Sequence, residues 1–166
     1  LVVDPVMIAK SGDRLLQEPA VEAVRHRLLP LASVVTPNVP EAEVLSGITV
    51  HNQSEMIEAA KRIVELGPRL VIVKGGHLPG APVDIAFDGS RVSHFESPRV
   101  STRSTHGTGC TFSAAIAAYL AHGYPVHDAI EKAKQYLFAA LLTAYEVGSG
   151  HSPVHHFHEL WASKAH

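Results

Sequence analysis

The stretch STHGTGCTFSAAIAAYL, residues 104–120, runs from a glycine-rich turn through the chain's single cysteine into an apolar, helix-forming segment. Gly107 and Gly109 let backbone approach an anion with no Cβ in the way. A helix starting here directs the N–H groups of Thr108, Gly109 and Cys110 outward, with the positive end of its dipole behind them. Such a turn stabilises negative charge. It is not the phosphate loop that ends in Gly-Lys-Ser/Thr, and the dinucleotide fingerprint is excluded by the missing third glycine. A tight, closely packed turn is the alternative use of the same residues. Cys110 falls in the first helical turn, where thiolate chemistry is more accessible, or else packs as a small apolar residue beside the alanines.

Other polar residues stand just past short apolar runs: Asp4 after LVV, Asn38 and Glu41 after SVVT, and Lys74 after LVIV. Lys74 either snorkels at a sheet edge or delivers a point charge to phosphate. Asp4, Asn38 and Glu41 supply the oxygen ligands that Mg²⁺ prefers. Asn38 and Glu41 equally suit the cap and first turn of the helix that follows, and without further context capping is the favoured use.

The elements that must position these residues alternate between strand and helix. Residues 1–4 and 33–36 read as short buried strands closed by Pro5 and Pro37, and residues 70–76 as the clearest strand. Helices are expected over 19–29, over the PEAEVLSG segment, and over 54–66 with Ser54 as cap and an apolar stripe of Met56, Ile57, Ala60, Ile63 and Val64. Asp88-Gly89 sits between two alternating runs and marks a hairpin. The last third reads as helices over 111–122 and 126–145 plus a short C-terminal piece. This pattern predicts one α/β domain over residues 1–166, with a mostly parallel sheet and an antiparallel hairpin at one edge. The strands' carboxyl ends, and the residues just past them, would then converge on one cleft.

Composition removes whole classes of function. The chain has 166 residues, 46% of them hydrophobic, and a formal net charge of −2 with no long basic run, so it lacks the positive footprint of a nucleic-acid binder. No apolar run is long enough to span a membrane and no signal peptide is legible; with a lone cysteine, this makes a cytoplasmic protein the expectation. The 12 histidines include the HSPVHHFH run, whose spacing matches no zinc pattern. No G-x-S-x-G elbow supports a serine nucleophile. The opening LVVDPVM has no initiator Met and starts on a buried-type strand, which suggests a fragment whose N-terminal part is missing.

Taken in order, VVDPVMIAKSGDRLL, TPNVPEAEVLSG, VIVKGGH, STHGTGCTFSAAIAAYLAHG and HSPVHHFHELW resemble the hydroxymethylpyrimidine/phosphomethylpyrimidine kinases of thiamine biosynthesis, a ribokinase-like family. The resemblance implies a three-layer α/β/α fold, truncated at its N-terminus. It also implies Mg-ATP-dependent phosphorylation of 4-amino-5-hydroxymethyl-2-methylpyrimidine and then of its monophosphate. By the same resemblance Gly107, Thr108 and Gly109 form the anion hole for the transferred phosphoryl group. Cys110 acts at the substrate hydroxymethyl as base or positioning group, Lys74 and Asn38 meet the ATP phosphates, and Lys134 lies near the nucleotide. Asp4 and Glu41 belong to the metal cluster, and Val6 to the pyrimidine pocket. The resemblance further implies a homodimer at full length. A pyridoxal kinase of the same subfamily, and an inactive fragment or non-catalytic nucleotide-binding module, are the alternative readings.

Overall fold

The computed structural model describes residues 1–8 and 12–162; residues 9–11 of the first quoted motif and residues 163–166 lie outside the described residues. The chain divides into two compact units, Leu1–Glu96 and a second from Ser97 onward.

The first unit is built on a five-stranded sheet in the order β1-β2-β3-β4-β5. Strands β1 (Val2–Val3), β2 (Val34–Val35) and β3 (Val71–Val73) are parallel. Strands β4 (Val83–Phe87) and β5 (Val92–Glu96) then turn back as an antiparallel hairpin at the edge. The sheet is therefore mixed, with the hairpin where Asp88-Gly89 places it. The Asp88 carboxylate accepts the N–H groups of Ser90 and Arg91 at 2.9 and 2.7 Å, closing the turn, while Gly89 takes φ +93°. The core gathers Val3, Val35, Val71, Val73, Ile85 and Phe87 of the sheet with residues of the covering helices.

The helices depart from the sequence expectations in ways that have physical causes. The predicted 19–29 helix is α-helical only over α1 (Glu18–Ala23); Val24–Leu28 widen into a π turn and Leu29–Leu31 tighten into a 3-10 turn. Pro30 has no N–H to donate, and its ring would meet a carbonyl one α-turn back, so the chain changes pitch before it. The Leu29 N–H reaches back to Val24 C=O, and Leu28, expected on the buried face, is exposed. Helix α2 (Val39–Ser46) ends at Gly47, which adopts φ +73°. Helix α3 (Gln53–Val64) is capped by Asn52, whose side chain accepts from Glu55 N–H, and not by Ser54. The Glu55 carboxylate in turn accepts from His51 N–H at 2.6 Å, which fixes the earlier start. The face of α3 that packs on the sheet is Met56, Ala59, Ala60 and Ile63.

The second unit pairs α4 (Thr108–Ala121) with α5 (Val126–Leu142) and ends in the short α6 (His158–Ala162). Helix α4 begins three residues before the predicted 111, because Gly107 serves as its N-cap, and α5 stops short of the predicted 145.

The glycine pair after β3 gives a sharp test of this packing. A Cβ on Gly75 would lie 2.0 Å from the Val83 carbonyl oxygen, whereas one on Gly76 would meet nothing within 4 Å. Gly75→Ala is expected to lower unfolding stability by about 3 kcal/mol and Gly76→Ala to leave it essentially unchanged, as read by denaturant titration.

Candidate functional site

Three parallel strands end at the same edge of the sheet, and each delivers one polar group there. Asp4 follows β1, Thr36 follows β2 and Lys74 follows β3. Lys74 N–H donates to Pro37 C=O at 2.8 Å, so the ladder continues one bridge beyond the strands, pairing Asn38 with Lys74. The Lys74 ammonium donates to Asp4 Oδ1 at 2.7 Å, and the Thr36 hydroxyl lies 3.3 Å from the same oxygen. Both members of the ion pair keep only 15% of their side-chain surface exposed. Thr36 is a participant the sequence reading passed over, although its place at the end of SVVT was the signal that could have revealed it.

Asn38 and Glu41 form a reciprocal capping box at the start of α2. Glu41 N–H donates to Asn38 Oδ1 at 2.9 Å, and Asn38 N–H donates to Glu41 Oε2 at 2.8 Å. The capping use of these residues is therefore realised. Glu41 does more than cap, because its Oε1 also accepts from Met7 N–H at 3.4 Å and so ties the loop after β1 to the helix. It is 2% exposed, and this burial pushes its carboxyl above the usual range; the Asp4 charge pushes the same way, against the Asn38 N–H and the Lys74 charge. Asp4, Thr36 and Glu41 offer oxygen donors of the type Mg²⁺ prefers, but Lys74 already holds Asp4 Oδ1 and backbone N–H groups hold both Glu41 oxygens, and among the described residues no group of three or more Asp, Glu, His or Cys side chains gathers to hold a metal. Val6, on the loop leading from Asp4, is 46% exposed.

Asp84, also missed from the sequence, is buried on β4 and accepts from Gly75 N–H at 2.9 Å. It holds the turn that carries Lys74 out of β3. An acidic residue at an inward position of an otherwise apolar strand was the available signal.

In the second unit Gly107 sits at φ +80°, ψ +7°, the left-handed region, with open space where a Cβ would be. Conformation, and not crowding, demands glycine there. The first intrahelical bond of α4 runs from Thr111 N–H to Gly107 C=O at 2.8 Å, which leaves the amides of Thr108, Gly109 and Cys110 ahead of the ladder. Gly107, as the N-cap, has no side chain to cap them. Cys110 is exposed, and with His106, Gly107, Tyr119, Tyr136 and His156 it lines a pocket of about 670 Å³. Lys134 is buried on α5, on the face that also buries Ile130 and Ala133.

The fold is that of the ribokinase-like α/β kinases, with a mixed sheet and polar residues gathered at its carboxyl edge. It aligns with the ADP complex of Bacillus subtilis pyridoxal kinase at a TM-score of 0.87 and 38% identity, over 96% of this chain and 60% of that one. A family model described as phosphomethylpyrimidine kinase matches residues 1–155. The chain belongs to the phosphomethylpyrimidine kinase family. It is 52% identical to a thiamine biosynthesis bifunctional protein of Geobacter sulfurreducens over 94% of its own length and 32% of that protein's. It is 50% identical to a hydroxymethylpyrimidine/phosphomethylpyrimidine kinase of Rhizobium meliloti, over 96% of this chain and 62% of the relative. The chain thus spans less than two thirds of the curated relatives it matches. Among the described residues no helix is long and apolar enough to cross a membrane.

The raised carboxyl of Glu41 has a consequence for stability. The folded state keeps a proton that the unfolded chain gives up near its ordinary value of 4.5, so stability falls as pH rises from 4.5 through the folded-state value. Glu41→Gln removes that proton exchange. Unfolding free energies of the two proteins across a pH series are expected to show this decline in the wild type and its loss in the variant.

Proposed function

We propose that the chain is the nucleotide- and anion-binding part of a Mg-ATP-dependent kinase that phosphorylates 4-amino-5-hydroxymethyl-2-methylpyrimidine and then its monophosphate, in thiamine biosynthesis. The observation that carries this reading is the glycine turn of the second unit, whose uncapped amides of Thr108, Gly109 and Cys110 open beside an exposed thiol and a pocket. Phosphoryl transfer asks a protein mainly for positioning and for donors aimed where charge develops on the equatorial oxygens. Those amides, with Gly107 setting their direction, suit that task.

In this reading the acceptor oxygen attacks the terminal phosphorus, the bond to ADP breaks, and Cys110 takes the hydroxymethyl proton or holds that group in line. Lys74 neutralises phosphate charge, with Asp4 fixing its ammonium; Asn38 stands beside it, and Lys134 borders the nucleotide. Asp4 and Glu41 would hold the magnesium, which would supply charge neutralisation for the phosphates. Val6 serves the pyrimidine pocket. The two compact units are read as parts of one kinase domain, cytoplasmic and homodimeric.

Pyridoxal kinase is the second reading, favoured by the 38% identical solved structure, against 50% for the pyrimidine kinase relative. A fragment that binds nucleotide without catalysis is the third. Coupled ADP release with Mg-ATP, offering the hydroxymethylpyrimidine and pyridoxal side by side, separates the three. A form extended to the relatives' full length is expected to turn over with the pyrimidine preferred; a pyridoxal preference supports the second reading, and silence in every form the third.

In the active form Cys110→Ala is expected to lower kcat by about 10²–10⁴-fold with the ATP KM unchanged. Lys74→Met is expected to raise the ATP KM by roughly tenfold or more, the worth of a charge-assisted hydrogen bond. Steady-state kinetics with each substrate varied reads both.

A further inference from the structure

The residue that precedes the glycine turn is gripped from both sides by a segment close to the C-terminus. His106 N–H donates to Ser152 C=O at 3.1 Å, and Val154 N–H donates to His106 C=O at 3.3 Å, forming an isolated parallel bridge across Pro153. The Ser152 hydroxyl, 2% exposed as a residue, accepts from Val147 N–H at 2.8 Å and lies 3.2 Å from Val147 C=O, which closes the segment on itself. The buried Ser104 hydroxyl donates to Tyr145 C=O at 3.3 Å. At its far end the segment is anchored on α5, where His155 N–H donates to Ala140 C=O at 3.0 Å and Tyr136 Oη donates to His156 C=O at 2.8 Å.

A bridge with no ladder around it constrains one residue, and that residue is the one before Gly107. With both polar groups of His106 engaged, and peptide planes rigid, the direction in which the chain enters the left-handed Gly107 is set. The amides of Thr108, Gly109 and Cys110 follow from that direction. Gly107 has no side chain to cap the first turn of α4, and the segment's two backbone bonds to His106 restrain the residue just before it. Pro153 and His156 also line the pocket that Gly107 and Cys110 share.

We propose that residues 145–156 are a positioning strap for the anion-binding turn, with Ser152 and Val154 as its positioning residues. Its kinetic consequence rests on the kinase reading above, whereas its mechanical consequence does not. The strap holds the three amides where phosphoryl charge develops, so loosening it weakens transition-state stabilisation more than ground-state binding.

The test pairs two lesions, Ser152→Ala, which opens the strap, and Val154→Pro, which deletes its donor to His106, with Ile130→Val as a control that weakens the α5 core. Amide hydrogen exchange on the 166-residue chain is expected to quicken by about tenfold or more at His106, whose N–H the strap holds, in the two strap variants, relative to Ile116, and not in the control. In the active form the same variants are expected to lose kcat by about tenfold with both KM values unchanged. Unaltered exchange at His106 in Ser152→Ala, or an equal rise in Ile130→Val, overturns the strap; because Ser152→Ala is mild, this result stands even if Val154→Pro does not fold. Selective exchange without a kcat effect in an active enzyme overturns the positioning role. Absence of turnover in every form refutes the kinase reading instead, and the exchange data still decide the strap.

Discussion

The ion pair between Asp4 and Lys74 is the contact on which the polar edge of the first unit depends. It joins the residue after β1 to the residue after β3, with Thr36 after β2 beside it, so its 2.7 Å length requires all three strands in register. Removing either partner leaves a mostly buried charge alone, a loss of about 3–5 kcal/mol for pairs of this kind. The surrounding contacts preserve that register: Asp84 pins the turn after β3, and Glu41 ties α2 to the loop after β1. Charge is concentrated in one place because backbone geometry puts the strand ends in one place.

The second unit solves a different problem with a different device. An anion site made of backbone amides needs donors that stay out of the helix ladder and keep one direction. Gly107 provides the turn, at a φ that other residues adopt only with strain, and the His106 bridge provides the direction. Neither contribution works without the other, since a left-handed glycine alone is a flexible joint and a clamped His106 alone leads nowhere. The two units thus carry different polar groups: a charged cluster of Asp4, Lys74 and Glu41 in the first, and the free amides after Gly107 beside an exposed thiol in the second.

Much of this was legible in the sequence, for reasons that differ by element. Short apolar, β-branched runs, the first two closed by proline, marked the parallel strands, and Asp88-Gly89 marked the hairpin, because both signals are local. The residues past each strand end were legible for the same reason, since topology alone fixes where a parallel strand's carboxyl end lies. Helix starts were less so: α3 takes Asn52 in place of Ser54, and α4 begins at Thr108, because the winning cap depends on which carboxylate or glycine its neighbours allow. The π turn before Pro30 was hidden because an apolar period of helical spacing cannot register a change of pitch. Asp84 and Thr36 carried local signals that were passed over, whereas the strap was invisible, because it acts through backbone groups distant in sequence. The family resemblance, carried by ordered motifs, agrees with the family match over residues 1–155.

Whether the amides after Gly107 hold phosphoryl groups is read by titrating backbone amide NMR resonances with Mg-ATP. Saturable shifts are expected at Thr108, Gly109 and Cys110, with none at the first turn of α3, where Asn52 already caps a donor. Shifts of equal size at α3, or scattered over surface lysines and arginines with the glycine turn silent, would contradict it.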